Sequence, residues 1–166
     1  EEALSNIKSA FTEFLAMKRD SEYSDLIVCP EAMGKYTQIG TYSEMFEICS
    51  WDECLIPTLD FGHINCILQG GLKTKEDFAK ILREGIDTIG YDKMNDLHIH
   101  FSKIMYNNKG EVKHLTFEDD VYGPDFEPMI DAIVELKLNP VIISESAGTQ
   151  APDALAMSKY YSQKIN

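Results

Sequence analysis

Leu55-Ile56-Pro57-Thr58-Leu59-Asp60-Phe61-Gly62-His63 is a short apolar run that stops on a carboxylate and an imidazole. Continuous apolar runs of this length suit parallel strands covered on both faces. Three other stretches have the same form: Leu26-Ile27-Val28-Cys29 leading to Glu31, Asp96-Leu97-His98-Ile99-His100-Phe101, and Pro140-Val141-Ile142-Ile143-Ser144-Glu145. Each ends on or near a group that can bind a metal or carry a proton: Glu31, Asp60 with His63, His100 and Glu145. The recurrence decides between two folds. An open doubly wound sheet gathers its site at one switch point, whereas a (β/α)8 barrel draws site residues from the C-terminal ends of several strands.

Helical patterns fill the gaps. Residues 3–18 place Leu4, Ile7, Phe11, Phe14 and Leu15 on one face, and residues 42–51 form a shorter amphipathic stretch. Residues 74–89 open with Thr74-x-x-Asp77, a capping-box pattern, and carry Phe78, Ile81, Leu82, Ile86 and Ile89 on one side. Residues 125–136 and 152–161 complete the set, the last opening with Pro152, a residue at home in a first helical turn. Strands alternating with helices imply parallel βαβ units with right-handed crossovers. The expectation is one α/β domain over residues 1–166, with about four parallel strands: the C-terminal half of a (β/α)8 TIM barrel whose N-terminal half is missing. The first residue is Glu1 and not Met, which points to a cut or processed chain. An open half-barrel exposes strand edges and an apolar interior, so self-association or pairing with an N-terminal half-barrel is expected.

With 44% apolar and 26% charged residues, the composition is that of a soluble globular protein. No apolar stretch is long enough to span a membrane, and the start lacks the basic and apolar regions of a signal peptide. Cys29, Cys49, Cys54 and Cys66 form no CxxC pair and read as reduced, mostly buried thiols of a cytoplasmic protein. No GxGxxG or GxxxxGK[ST] motif follows any strand, so dinucleotide and P-loop sites are unsupported. The net charge of −13 argues against simple binding of nucleic acid, which needs Lys and Arg for phosphate, unless bound cations cancel part of it locally.

Glu31, Asp60, His63, His100, His114 and Glu145 make three carboxylates and three imidazoles, a donor set that suits Zn²⁺ or Mn²⁺ better than Mg²⁺ or Ca²⁺. His98 and His100 share one side of their strand; His100 is nearer the C-terminal end and is the better ligand, while His98 reads as a core residue. His114 lies in a loop, Lys109-Gly110-Glu111-Val112-Lys113-His114. Taken singly, each residue has a plainer reading: a strand-end Glu is solvated, and Asp60 caps the next segment. Recurrence at one topological position outweighs these, because carboxylates buried without a partner are strongly destabilising.

These residues lie in motifs that resemble those of the endonuclease IV family, metal-dependent apurinic/apyrimidinic-site nucleases of the xylose-isomerase-like TIM barrel superfamily. The segment from Glu31 through Gly34, Lys35, Gln38 and Gly40 resembles the family's E-x-x-G-K-x-x-Q-x-G. Asp60-Phe61-Gly62-His63 resembles its D-x-x-H, and His98-Ile99-His100-Phe101-Ser102 and Lys109-Gly110-Glu111-Val112-Lys113-His114-Leu115 resemble motifs of an archaeal-like branch. The resemblance implies hydrolysis of DNA at abasic sites in base excision repair, with two or three Zn²⁺, Mn²⁺ being an alternative. It implies that Glu31 bridges two metals, that Asp60, His100 and Glu145 complete one of them, and that His63 and His114 bind a third. Glu145 and Glu31 are the candidate catalytic carboxylates. Gln38 is a candidate phosphate or DNA contact, and Tyr36, Tyr42, Tyr106 and Tyr122 either stack on bases or pack at loop bases. One departure stands out. Val112 occupies the place of an Asp in the better-known bacterial pattern, leaving two protein ligands for the third metal unless Glu111 or water substitutes. Two other readings compete: a metal-dependent sugar isomerase or epimerase of the same superfamily, which the acidic balance favours, and an inactive truncated half-barrel.

Overall fold

Two threonines start helices by the same device. Thr41 and Thr74 each accept a hydrogen bond from the backbone three residues on, and Glu44 and Asp77 reach back to the cap. The helices they open are α2 (Tyr42–Cys49) and α4 (Lys75–Ile89), preceded by α1 (Glu2–Arg19). The computed structural model describes residues 2–165. Beyond these lie α3 (Phe61–Ile67), α5 (Tyr91–Asn95), α6 (Phe126–Leu136) and α7 (Gln150–Ile165). The strands are β1 (Thr58–Asp60), β2 (His98–Phe101), β3 (Ile104–Asn107), β4 (Gly110–His114) and β5 (Val141–Ser144).

Strands β1, β2 and β5 form a parallel sheet in that order. Its register pairs Leu59 with Ile99 and Ile99 with Ile142, and these side chains point into the core. There they join Phe78 and Leu82 of α4 and Met129, Ile130 and Ile133 of α6. The same register aligns Thr58 with His98 and Val141, and Asp60 with His100 and Ile143. This second face is only partly covered: Val141 is 53% exposed and Ile143 45%. Strands β3 and β4 form a separate antiparallel hairpin after the end of β2.

The expected half-barrel of four parallel strands is not the fold observed. The architecture is α/β, with three parallel strands and a two-stranded antiparallel sheet. The stretch 26–29 is not a strand; Val28 and Glu31 make only isolated parallel bridges, to Leu55 and Thr58. Its backbone does bond to the next segment, Val28 N–H to Cys54 O and Thr58 N–H to Pro30 O. Pro30, which has no N–H to give, breaks that ladder into separate contacts. Proline likewise shortens the second expected strand to Thr58–Asp60. The segment around His114, expected as loop, is strand β4, and the helices α3 and α5 were not foreseen. Both are at most seven residues long and too short to show a period.

Among the described residues no helix is long and apolar enough to cross a membrane. All four cysteines are free thiols, Cys49 and Cys66 buried and Cys29 and Cys54 partly so. Burial pushes the Cys49 and Cys66 thiols up to about 12, so neither is a thiolate at neutral pH.

Candidate metal centre

Asp60 ends β1 and begins α3. Its Oδ1 accepts the backbone N–H of His63 at 2.9 Å, capping the helix. Its Oδ2 is buried and accepts no hydrogen bond, the one such side-chain atom among the described residues. Burial pushes this carboxyl up to about 7 in the metal-free protein, against the pull of His63 and its backbone N–H; Glu145 and Glu31 nearby act in the same direction as burial. An orphaned carboxylate oxygen inside a protein needs a reason. Here the reason is what lies around it.

Glu31, Asp60, His100 and Glu145 each bring one ligand atom to a single point, all within 4.8 Å of one another. They come from the segment before β1, the end of β1, the end of β2 and the residue after β5. His100 Nδ1–H donates to Glu31 Oε1 at 2.9 Å and lies 3.2 Å from Glu145 Oε1. Glu31 and Glu145 remain about one-third exposed, whereas Asp60 is fully buried. Three carboxylates and one imidazole form a strongly anionic, oxygen-rich set, and a divalent cation fits both its charge and Asp60's spare oxygen.

A second set holds His63, Glu111 and His114, again within 4.8 Å. His63 Nδ1 lies 3.0 Å from the carbonyl of Ala32, which can only accept, so Nδ1 carries a proton and the ring turns its Nε2 the other way. That Nε2 faces Glu111 Oε2 at 3.5 Å. On the other side, His114 Nδ1 is bonded to Ser102 Oγ at 2.8 Å, and its Nε2 faces Glu111 Oε1 at 3.8 Å. Ser102 is fully buried, so the ring is held from behind. A partner on the far nitrogen fixes the orientation of a metal-ligating histidine in this way.

Glu111 and His114 are three residues apart on a strand, and on a regular strand they would face opposite ways. A β-bulge brings them together. Tyr106 pairs with Glu111 and Met105 with Lys113, so Val112 has no partner on β3. The extra residue changes the parity, while the Val112 side chain itself is 48% exposed. Gly34 completes the arrangement from the loop side. A Cβ there would lie 2.9 Å from His63 Cδ2 and 3.0 Å from Glu111 Cβ. Its carbonyl accepts the N–H of Glu111 at 2.8 Å, tying the loop to the hairpin.

All six expected ligands therefore gather here, in two groups of different chemistry, and Glu111 takes the place that Val112 could not fill. His63 stands between the groups, its Nδ1 3.3 Å from Asp60 Oδ2 and its Nε2 toward Glu111. Gly62 lies in α3, where a Cβ would meet the carbonyl oxygen of Ser102 at 2.7 Å, so its role is close packing. Gln38 is exposed in the turn after Gly34, its backbone N–H donating to Lys35 O. His98 belongs to neither group; it is half-buried on the open sheet face and not a core residue. The tyrosines pack locally: Tyr36 donates to the carbonyl of Ile67, Tyr106 and Tyr122 stack edge to face at 5.3 Å, and Tyr42 packs on Phe46.

No family model matches the chain. The chain is similar to an uncharacterized protein of Methanocaldococcus jannaschii, with 28% identity over 139 residues that cover 84% of this chain and 50% of that protein. It thus spans about half the length of that relative.

Proposed function

We propose that the protein is a divalent-metal-dependent phosphodiester hydrolase acting on DNA at abasic sites, the activity that the resemblance to endonuclease IV implies. The observation that carries this reading is the convergence of Glu31, Asp60, His100 and Glu145 around the unpartnered Asp60 oxygen, with His63, Glu111 and His114 alongside. A cation held by these residues supplies Lewis acidity toward a phosphate oxygen and lowers the pKa of water. The residues divide the remaining work by exposure. Buried Asp60 is a pure ligand. Glu31 and Glu145, each about one-third exposed, can also take a proton from an attacking water. Gln38, exposed in the loop after Glu31, is the residue that would donate an amide N–H to a phosphate oxygen.

The test is incision of a duplex carrying one abasic site, with Zn²⁺ or Mn²⁺ and with chelator. Metal-dependent cleavage that Glu145→Gln abolishes without loss of fold supports the reading. A second reading, a sugar isomerase or epimerase, is favoured by the net charge of −13. Turnover of an aldose or ketose, with no incision at any metal concentration, establishes that reading and removes the first.

A further inference from the structure

Of the 166 residues 28 are acidic, yet two stretches carry no acid at all. There is no Asp or Glu from Ala32 to Ser43, and none from Leu97 to Gly110. The fold brings these two stretches together. Lys35 and Gly110 form an antiparallel bridge, and Gly34 O accepts the N–H of Glu111 at 2.8 Å. Gly110 permits the approach: its φ is +103°, and a Cβ there would collide with Gly34 O and lie 3.0 Å from Lys35 Cα. Two loop tips thus become one surface.

That surface is made of donors. Lys35, Thr37 and Gln38 stand on one tip, Asn108 and Lys109 on the other. All five are exposed, and none has a side-chain hydrogen bond or ion pair among the described residues. The bridge sets Lys35 beside the residue that follows Lys109, so two like charges share a short piece of paired backbone without a carboxylate between them. Like charges set opposite each other on paired strands are destabilising. Elsewhere on the chain cations in such positions are answered: Arg83 by Glu76 and Glu135, Lys75 by Glu135, Lys164 by Asp131. Here, on a chain of net charge −13, the answering anion has to come from outside.

Position says what kind of anion. The surface adjoins the histidine group through Gly34, where a Cβ would lie 2.9 Å from His63 Cδ2, and through Glu111, the residue after Gly110. A lone phosphate would occupy one lysine. Two lysines with hydroxyl and amide donors across two loop tips match a row of phosphates. Lys, Thr, Asn and Gln are also the side chains that hold a nucleic-acid backbone in place without reading its bases. We propose that Lys35, Thr37, Gln38, Asn108 and Lys109 form a docking surface for the phosphodiester backbone of DNA, outside the metal centre and indifferent to sequence. The surface serves the hydrolase reading above and rests on it. It also meets the objection that the net charge raises: the acids that make the chain anionic are kept out of the two segments that face the polymer.

The test is binding to an intact duplex in saturating Mn²⁺, followed by fluorescence anisotropy at about 50 to 200 mM salt. Each lysine that neutralises a phosphate contributes about −0.9 to the slope of log affinity against log salt. Lys35→Ala and Lys109→Ala should each flatten the slope by about 1. The double variant should flatten it by about 2 and weaken low-salt binding roughly tenfold, alike for duplexes of unrelated sequence. Lys35→Arg with Lys109→Arg should keep the slope. So should Lys80→Ala with Lys159→Ala, which removes two exposed lysines from α4 and α7. Bound metal, by mass spectrometry, and circular dichroism should match wild type throughout. An unchanged slope in the double alanine variant overturns the surface. So does an equal loss from the α4 and α7 pair, or a wild type that binds no duplex. Duplex binding through these lysines without incision at an abasic site removes the hydrolase reading alone, and incision with the slope unmoved removes the surface alone.

Discussion

Replacing Asp60 by Asn separates what this residue does for folding from what it does for binding. The amide oxygen keeps the cap on α3, since Oδ1 is the atom that accepts the His63 N–H. Removed is the negative charge at the buried, unpartnered Oδ2. In the metal-free protein burial raises this carboxyl from 3.8 to about 7. The unfolded chain gives up the proton near 3.8, while the folded chain holds it until about 7. Within that window the folded state binds more protons, so stability falls as pH rises. At pH 8 the accumulated loss is roughly 4 kcal/mol. In chelator, wild type should therefore lose stability between pH 4 and 7 more steeply than Asp60→Asn, and the variant should be the more stable protein at pH 8. With saturating metal the order should reverse, because the variant has lost a charged ligand. Denaturant unfolding across pH, with chelator and with Zn²⁺ or Mn²⁺, reads all four limbs. Parallel pH curves for the two proteins in chelator would refute the reasoning, as would a variant less stable than wild type at pH 8 without metal.

Other perturbations have clear expected outcomes. Ser102→Ala removes the partner behind His114 and should weaken zinc retention by about 10–100-fold with little change in fold, measured by competition with a zinc-sensitive dye. Gly34→Ala pushes a methyl between His63 and Glu111 and should reduce zinc retention too, with the carboxylate group left intact. Thr74→Ala breaks the capping box of α4, whose residues belong to neither ligand group, and should cost about 1 kcal/mol in denaturant unfolding with metal binding unchanged. Leu59→Ala opens a cavity in the core beneath β1 and should cost about 2–5 kcal/mol by the same measurement.

The site was more legible in the sequence than the fold that carries it. Glu31, Asp60, His100 and Glu145 follow apolar runs, and a parallel sheet brings its C-terminal ends together whether or not it closes. The arrangement of strands was less readable, because apolar runs do not show where prolines interrupt the pairing. Pro30 and Pro57 reduce one expected strand to two bridges and shorten another. Glu111 was visible only as a neighbour of the residue expected to ligate. Its place depends on the register of β3 against β4, a tertiary property with no local signal in Val112. Gly34 and Ser102 had a motif but no stated role; their function is to leave space and to hold a ring, which only packing displays.

The bulge at Val112 has a consequence for how this chain is compared with others. Val112 contributes no donor atom and no buried surface of note; it contributes a count. Substitutions there should pass almost unnoticed, since any residue that keeps the backbone keeps the parity. Deleting Val112 would leave Glu111 and His114 two apart, the same-side spacing of a regular strand, so a relative with one residue fewer here can present the same pair without a bulge. The change that matters is the one that leaves the sequence intact and draws Val112 into the ladder. Glu111 and His114 would then face opposite ways, and the full inventory of ligands would no longer amount to a site.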